Sequence, residues 1–315
     1  MLEIVEEEIG SGAVVAGEYR LDEKLGEGGM GVVWRATHLP SGDRCAVKLL
    51  KAGRETEPKN QARLAYEARA AMAVEHPNVA RVRAVLETEA GAPFIVMDLL
   101  DGEPLRDYLQ KHTSLDVARC AAIFEGVIAG VRAAHERGVV HRDLKPENVF
   151  LTPSGVKVLD FGIAKKLRRD DEDAGPPSLT STGTVLGTPA YMAPEQLFGE
   201  RDLDARADVW ALGVMLDEAL TGVHPFGREM GQVLKAITQG LRRPLGERRP
   251  DLPPALCAVV DAMVTRDTRA RPSLEDVATV LAGGELAPAT APLPPPTRGA
   301  ITAPDVPPVT QRTTP

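Results

Sequence analysis

Cysteine is scarce in this chain of 315 residues: there are three, Cys45, Cys120 and Cys257. They lie far apart, without the short paired spacings that hold a metal, so no zinc site is indicated and a reducing compartment fits. Each falls in a stretch with strand or helix character and is expected in the core. The chain also lacks any apolar run of the roughly 18 to 20 residues needed to cross a bilayer. Its acidic start, Met1 to Glu8, has no basic region of the kind that opens a signal peptide. Nor is there an excess of positive charge, since 37 Lys and Arg stand against 45 Asp and Glu for a formal net charge of -8. Nucleic acid and anionic membrane are disfavoured as partners, and a soluble, cytoplasmic protein is expected. The length exceeds a single core of about 100 to 200 residues and suggests two lobes with tails.

Chemistry is concentrated in one short segment. His141-Arg142-Asp143-Leu144-Lys145-Pro146-Glu147-Asn148 is followed by Asp160-Phe161-Gly162. Phosphoryl transfer needs in-line positioning of two oxygens and neutralisation of phosphate charge more than covalent help. These residue types supply both: Asp143 can accept a hydroxyl proton, Lys145 can hold a migrating phosphate, and Asn148 and Asp160 offer the hard oxygens that Mg2+ prefers.

A nucleotide site is read upstream in Leu25-Gly26-Glu27-Gly28-Gly29-Met30-Gly31-Val32-Val33, whose glycines let backbone N–H groups approach phosphates. Dinucleotide-binding folds use the same glycines but continue into a helix, whereas Val32 to Thr37 reads as a strand. The Gly-Lys-Ser/Thr ending of a Walker loop is absent. The next strand, Ala46-Val47-Lys48-Leu49-Leu50, carries Lys48 as a single charge in an apolar run, and a buried ammonium needs an anion. Glu67, in the helical stretch from Gln61 to Val74, is a candidate partner, although an isolated helical glutamate is ordinarily a surface residue.

Together these motifs resemble the eukaryotic-like (Hanks-type) bacterial serine/threonine protein kinases. The resemblance runs from about Tyr19 to Leu281 and includes the turn His76-Pro77-Asn78, Ala193-Pro194-Glu195, Asp208-Val209-Trp210 and Arg271-Pro272. It implies an α+β, bilobal protein kinase fold, with a small β-rich N-lobe over 19–97 and a larger helical C-lobe over 98–281. Residues 1–18 form an acidic extension and 282–315 a Pro/Thr-rich tail expected to be disordered. The implied activity is ATP-dependent transfer of the γ-phosphoryl group to Ser or Thr hydroxyls of protein substrates, with Mg2+, or Mn2+ in its place. A nucleotide-binding pseudokinase scaffold is the alternative; it predicts a lost catalytic residue, and none is lost.

By the same resemblance, Asp143 and Lys145 are catalytic and Asn148 and Asp160 hold the metal. Gly26, Gly28 and Gly31 cover the phosphates, Lys48 contacts them, and Glu67 orients Lys48. Val33, Ala46 and Phe150 sandwich the adenine, Met97 is the gatekeeper, and the Asp98-to-Gly102 connector, with Leu100, presents backbone groups to the ring. Between Asp160 and Glu195 lies a segment carrying Thr180, Thr182 and Thr184 as candidate autophosphorylation sites. A phosphate there adds roughly 1.5 to 2 negative charges that Arg142, with Lys165, can pair. Thr188 is expected to shape the acceptor site. Glu195 and Arg271 are implied as a buried ion pair, and Asp208 as a brace on the catalytic segment. Relatives often activate as homodimers through the small lobe.

Overall fold

The computed structural model describes residues 10–28, 31–50, 72–161, 189–200, 203–227 and 229–284. Its first part is an antiparallel sheet of six strands in the order β1-β2-β3-β4-β6-β5. These strands are β1 (Val14–Val15), β2 (Tyr19–Gly28), β3 (Gly31–His38), β4 (Arg44–Leu50), β5 (Val82–Glu87) and β6 (Pro93–Met97). β1 lies within the stretch that the sequence assigns to an N-terminal extension, yet its Val15 is buried beside Tyr19 and Leu21. The hairpin into β2 turns on Ala16 and Gly17, both at positive φ, the geometry that suits the right-handed twist of paired strands.

Alternation along the strands gives this sheet two different faces. Trp34, Ala36, Cys45, Val47, Phe94 and Val96 pack with Tyr19 and Leu21 in one apolar cluster. The opposite parity puts Val33, Ala46, Lys48 and Met97 together, since Lys48 is in register with Val33 and Ile95, and Ala46 with Met97. Gly31, which starts β3, has φ +158, and a Cβ there would lie 2.1 Å from the Leu49 carbonyl oxygen. Only glycine allows β3 and β4 to come so close at that point.

The second part is mainly helical: α1 (Leu105–Lys111), α2 (Val117–His135), α3 (Pro194–Leu197), α4 (Arg206–Thr221), α5 (Met230–Gln239), α6 (Leu245–Arg248), α7 (Pro254–Met263) and α8 (Leu274–Leu281). Asp116 caps α2 by accepting from the Arg119 N–H, and Ser273 with Asp276 forms a reciprocal cap on α8. α4 is buried along nearly its whole length and forms the axis of this part. Its Trp210 stacks on Phe226 with ring centroids 5.3 Å apart. A small sheet, β7 (Glu103–Pro104), β8 (Val149–Thr152) and β9 (Gly155–Val158), lies across α2.

The two parts are tied by the turn at His76-Pro77-Asn78. Asn78 accepts from the Val158 N–H through its carbonyl and donates its side-chain amide to Val156 O at 2.9 Å. Helix α2 admits this turn through Gly130, where a Cβ would sit 2.7 Å from Asn78 O. Cys45, Cys120 and Cys257 are all buried free thiols, as their strand and helix settings predict. Burial pushes the Cys120 thiol up to about 12, so it is not a reactive nucleophile.

Candidate active site

The segment between α2 and β8 is folded by one buried carboxylate. Asp208, in the first turn of α4, accepts from the His141 N–H and the Arg142 N–H, each at 2.8 Å, and from His135 Nε2 at 2.8 Å. Burial pushes this carboxyl up, but the His135 hydrogen bond and the charges of His135 and His141 outweigh it, and the net shift is downward. The two backbone bonds hold Arg142 at φ 63, a conformation that a residue with a Cβ adopts at a cost. Gln196 adds a third restraint by donating to Arg142 O at 2.8 Å.

Within this frame Lys145 Nζ lies 2.9 Å from Asp143 Oδ2. Pro146–Asn148 make one 3-10 turn, which brings Asn148 back so that its Nδ2 donates to Asp143 O at 2.8 Å. That leaves the Asn148 amide oxygen as the group's remaining acceptor. Asn148 O then accepts from the Leu159 N–H, which places Asp160 beside it. Asp160 also has positive φ, 54, and Phe161 is buried against His141, ring centroids 4.8 Å apart. His141 Nε2 in turn lies 2.7 Å from Leu159 O.

The sheet meets this cluster through Lys48, whose Nζ is 2.7 Å from Asp160 Oδ2. Val33, Ala46 and Met97 share the sheet face that carries Lys48, and half-buried Phe150 stands on β8, two residues beyond Asn148. Asp98, the first connector residue, donates its N–H to Arg81 O at 3.1 Å, and its carboxylate takes Arg83 Nε at 2.6 Å. Leu25 and Glu27, on the glycine-rich hairpin, are exposed, and Val32 and Leu100 are half-buried. Gly29, Met30, Glu67, Lys165, Thr180, Thr182, Thr184 and Thr188 lie outside the described residues.

Glu195 and Arg271 form the implied pair, with both guanidinium Nη atoms on the carboxylate at 2.6 and 2.8 Å. Arg271 also donates to the carbonyls of Thr265 and Arg206 and lies over the Trp210 ring. A second ionic cluster has no counterpart in the sequence reading. It joins Arg106 to Glu147, Glu218 and Tyr191, of which Glu147 and Tyr191 stand in segments that drew attention for their chemistry.

The protein kinase domain family matches residues 19–280 of this sequence. The chain belongs to the protein kinase family. Within it the relatives are bacterial serine/threonine kinases. The kinase is 36% identical over 302 residues to serine/threonine-protein kinase PknA of Mycobacterium tuberculosis, covering 93% of this chain and 68% of that protein. It is 38% identical over 271 residues to serine/threonine-protein kinase pkn3 of Myxococcus xanthus, covering 83% of this chain and 49% of pkn3. Among solved structures, the kinase domain of Mycobacterium tuberculosis PknI matches with a TM-score of 0.67 at 28% identity, covering 87% of this kinase and 98% of that chain. The expected bilobal α+β fold is therefore the observed one, and the kinase uses ATP, a divalent metal and protein substrates. Among the described residues no helix of this kinase is long and apolar enough to cross a membrane.

Proposed function

We propose that the cleft between Lys48 and Asp143 is the phosphoryl-transfer site of this serine/threonine protein kinase. The observation that carries the proposal is the chain of contacts Lys48–Asp160, Leu159–Asn148, Asn148–Asp143 and Asp143–Lys145, which gathers five candidate groups from β4, the catalytic segment and the Asp160 turn. Asp143 orients the acceptor hydroxyl and takes its proton as the oxygen attacks the γ-phosphorus and the bond to ADP breaks. Lys145 and Lys48 offset the phosphate charge, and the glycine-rich hairpin from Gly26 to Gly31 covers the phosphates. Val33, Ala46, Met97, Asp98, Leu100 and Phe150 bound the adenine end.

Mg2+ fits the donor set. Asn148 offers its amide oxygen and Asp160 its carboxylate, and no cluster of three or more metal-binding side chains occurs among the described residues. Two hard protein oxygens are what an ion needs when nucleotide phosphates and water complete its shell. When bound, the metal neutralises charge on the phosphates. The same proposal divides the chain into small lobe, large lobe and flanking segments at the boundaries implied by the resemblance, with β1 added to the small lobe. It takes the kinase as cytoplasmic, in keeping with its acidic charge and sparse cysteines. It also takes Thr180, Thr182 and Thr184 as autophosphorylation sites for Arg142, whose Nε is buried without a hydrogen-bond partner among the described residues.

The test is transfer of labelled γ-phosphate by wild type and by Asp143→Asn. Loss of roughly 100-fold or more with ATP binding retained is expected. Equal transfer by both would remove Asp143 from the chemistry. Mass spectrometry of the wild-type product then maps the modified threonines, and a segment with all three unmodified would end the autophosphorylation reading.

A further inference from the structure

Beside the catalytic segment, two carboxylates and a phenol converge on one guanidinium. Arg106 projects from the first turn of α1, next to fully buried Leu105. Its Nε donates to Glu147 Oε1 at 3.1 Å and its Nη1 to Glu218 Oε1 at 3.0 Å, while Nη2 meets the Tyr191 hydroxyl. Tyr191 donates in turn to the other oxygen of Glu218. The guanidinium side chain is 11% exposed and that of Glu218 4%. Two acidic groups held this close, one of them buried, need a cation between them. Glu147 Oε2 is buried without a hydrogen-bond partner among the described residues, so the receptacle retains unused acceptor capacity.

Its position gives this arrangement a meaning. Glu147 immediately precedes Asn148, and Tyr191 lines a small cavity together with Asp143 and Lys145. A polypeptide presenting a hydroxyl to Asp143 must pass close to this cluster. Without Arg106, the Glu147–Glu218–Tyr191 receptacle would be an anionic pocket matched to a basic side chain of the substrate. We infer that Arg106 is a specificity-determining residue, which fills this pocket from within and so makes the kinase indifferent to basic residues flanking the acceptor. The inference rests on the reading of Asp143 as the group that faces the acceptor hydroxyl.

The experiment is a positional-scanning library of Ser and Thr peptides, with each flanking position set to Arg, Lys, Ala or Glu, phosphorylated by the full chain with ATP and Mg2+. Wild type is expected to favour Arg over Ala by less than about threefold at every position, and Arg106→Ala by about tenfold or more at one position, through KM. Adding Glu218→Gln to Arg106→Ala should erase the new preference. A wild-type preference for Arg or Lys of about tenfold at any position would overturn the inference without any variant being made. So would an Arg106→Ala profile identical to that of wild type. If Arg106→Ala does not fold, Arg106→Gln, which keeps two of the donors, carries the same comparison. Asp143→Asn tests the acceptor-site reading separately: transfer that survives in it removes that reading, whereas abolished transfer with a failed library result removes only the role of Arg106.

Discussion

Lys48 is an ammonium in the apolar run of β4, 9% exposed, and its bond to Asp160 helps to make that burial tolerable. Loss of the lysine leaves Asp160 with a third of its side chain open to water, so the carboxylate can rehydrate. Function and stability therefore part at this residue. Lys48→Met should lower kcat/KM by roughly 100-fold or more while the melting temperature falls by no more than a few degrees, about what 1 kcal/mol gives in a domain of this size. A large melting shift with activity preserved would make Lys48 structural. The lysine was legible because a lone charge among Ala46, Val47, Leu49 and Leu50 has no bland reading. Asp160 as its partner was not, since 112 residues separate the two. The sequence offered Glu67, the acidic residue on the nearest helical stretch, which lies outside the described residues.

Elements in this protein are joined by buried ions as much as by apolar contact. Glu195 starts α3 and Arg271 follows the turn before α8, and their bidentate bond also brings in the Arg206 carbonyl at the head of α4. Three elements therefore share one guanidinium. Removing either side chain leaves an uncompensated charge and should cost about 3 to 5 kcal/mol. Chemical denaturation of Glu195→Ala, Arg271→Ala and the double variant checks this, and the double should cost clearly less than the two singles summed. Additive losses would mean that each residue acts through its own contacts. The pair was legible only through family resemblance, because a Glu and an Arg 76 positions apart carry no local signal. The contacts around Arg106 carried no local signal, since they join α1, the catalytic segment, the Tyr191 turn and α4, although the Thr188-to-Met192 surface and the helix holding Asp107 stand out singly as places for substrate preference. Sequence reading succeeds here where groups are chain neighbours, as from Asp143 to Asn148, and fails where packing brings them together.

At the scale of the whole molecule, the chain length suggested two lobes and the family resemblance supplied their character, one β-rich and one helical. The placement of β1 was not legible, because a two-residue strand has no periodicity to read. What holds the helical lobe together includes two buried carboxylates on α4 that must stay ionised. Burial pushes the Asp208 and Glu218 carboxyls up, yet hydrogen bonds and positive neighbours leave both below their ordinary values, through His135 and His141 for Asp208 and through Tyr191 and Arg106 for Glu218. A depressed carboxyl adds stability that is fully present above its unfolded value, near 3.9 for Asp and 4.3 for Glu, and that is lost as pH falls through the folded one. Resistance to urea should thus stay nearly flat from pH 7 to about 5 as far as these groups act, then decline below about pH 4. Asp208→Asn keeps the shape of the brace but cannot take up the proton. Its stability at pH 7 should be lower than that of wild type, and its acid decline shallower by the uptake of up to about one proton. Unfolding free energies measured across pH for both proteins give the slopes directly. An unchanged slope in the variant would place the acid-labile charge elsewhere than at the junction of α4 with the catalytic segment.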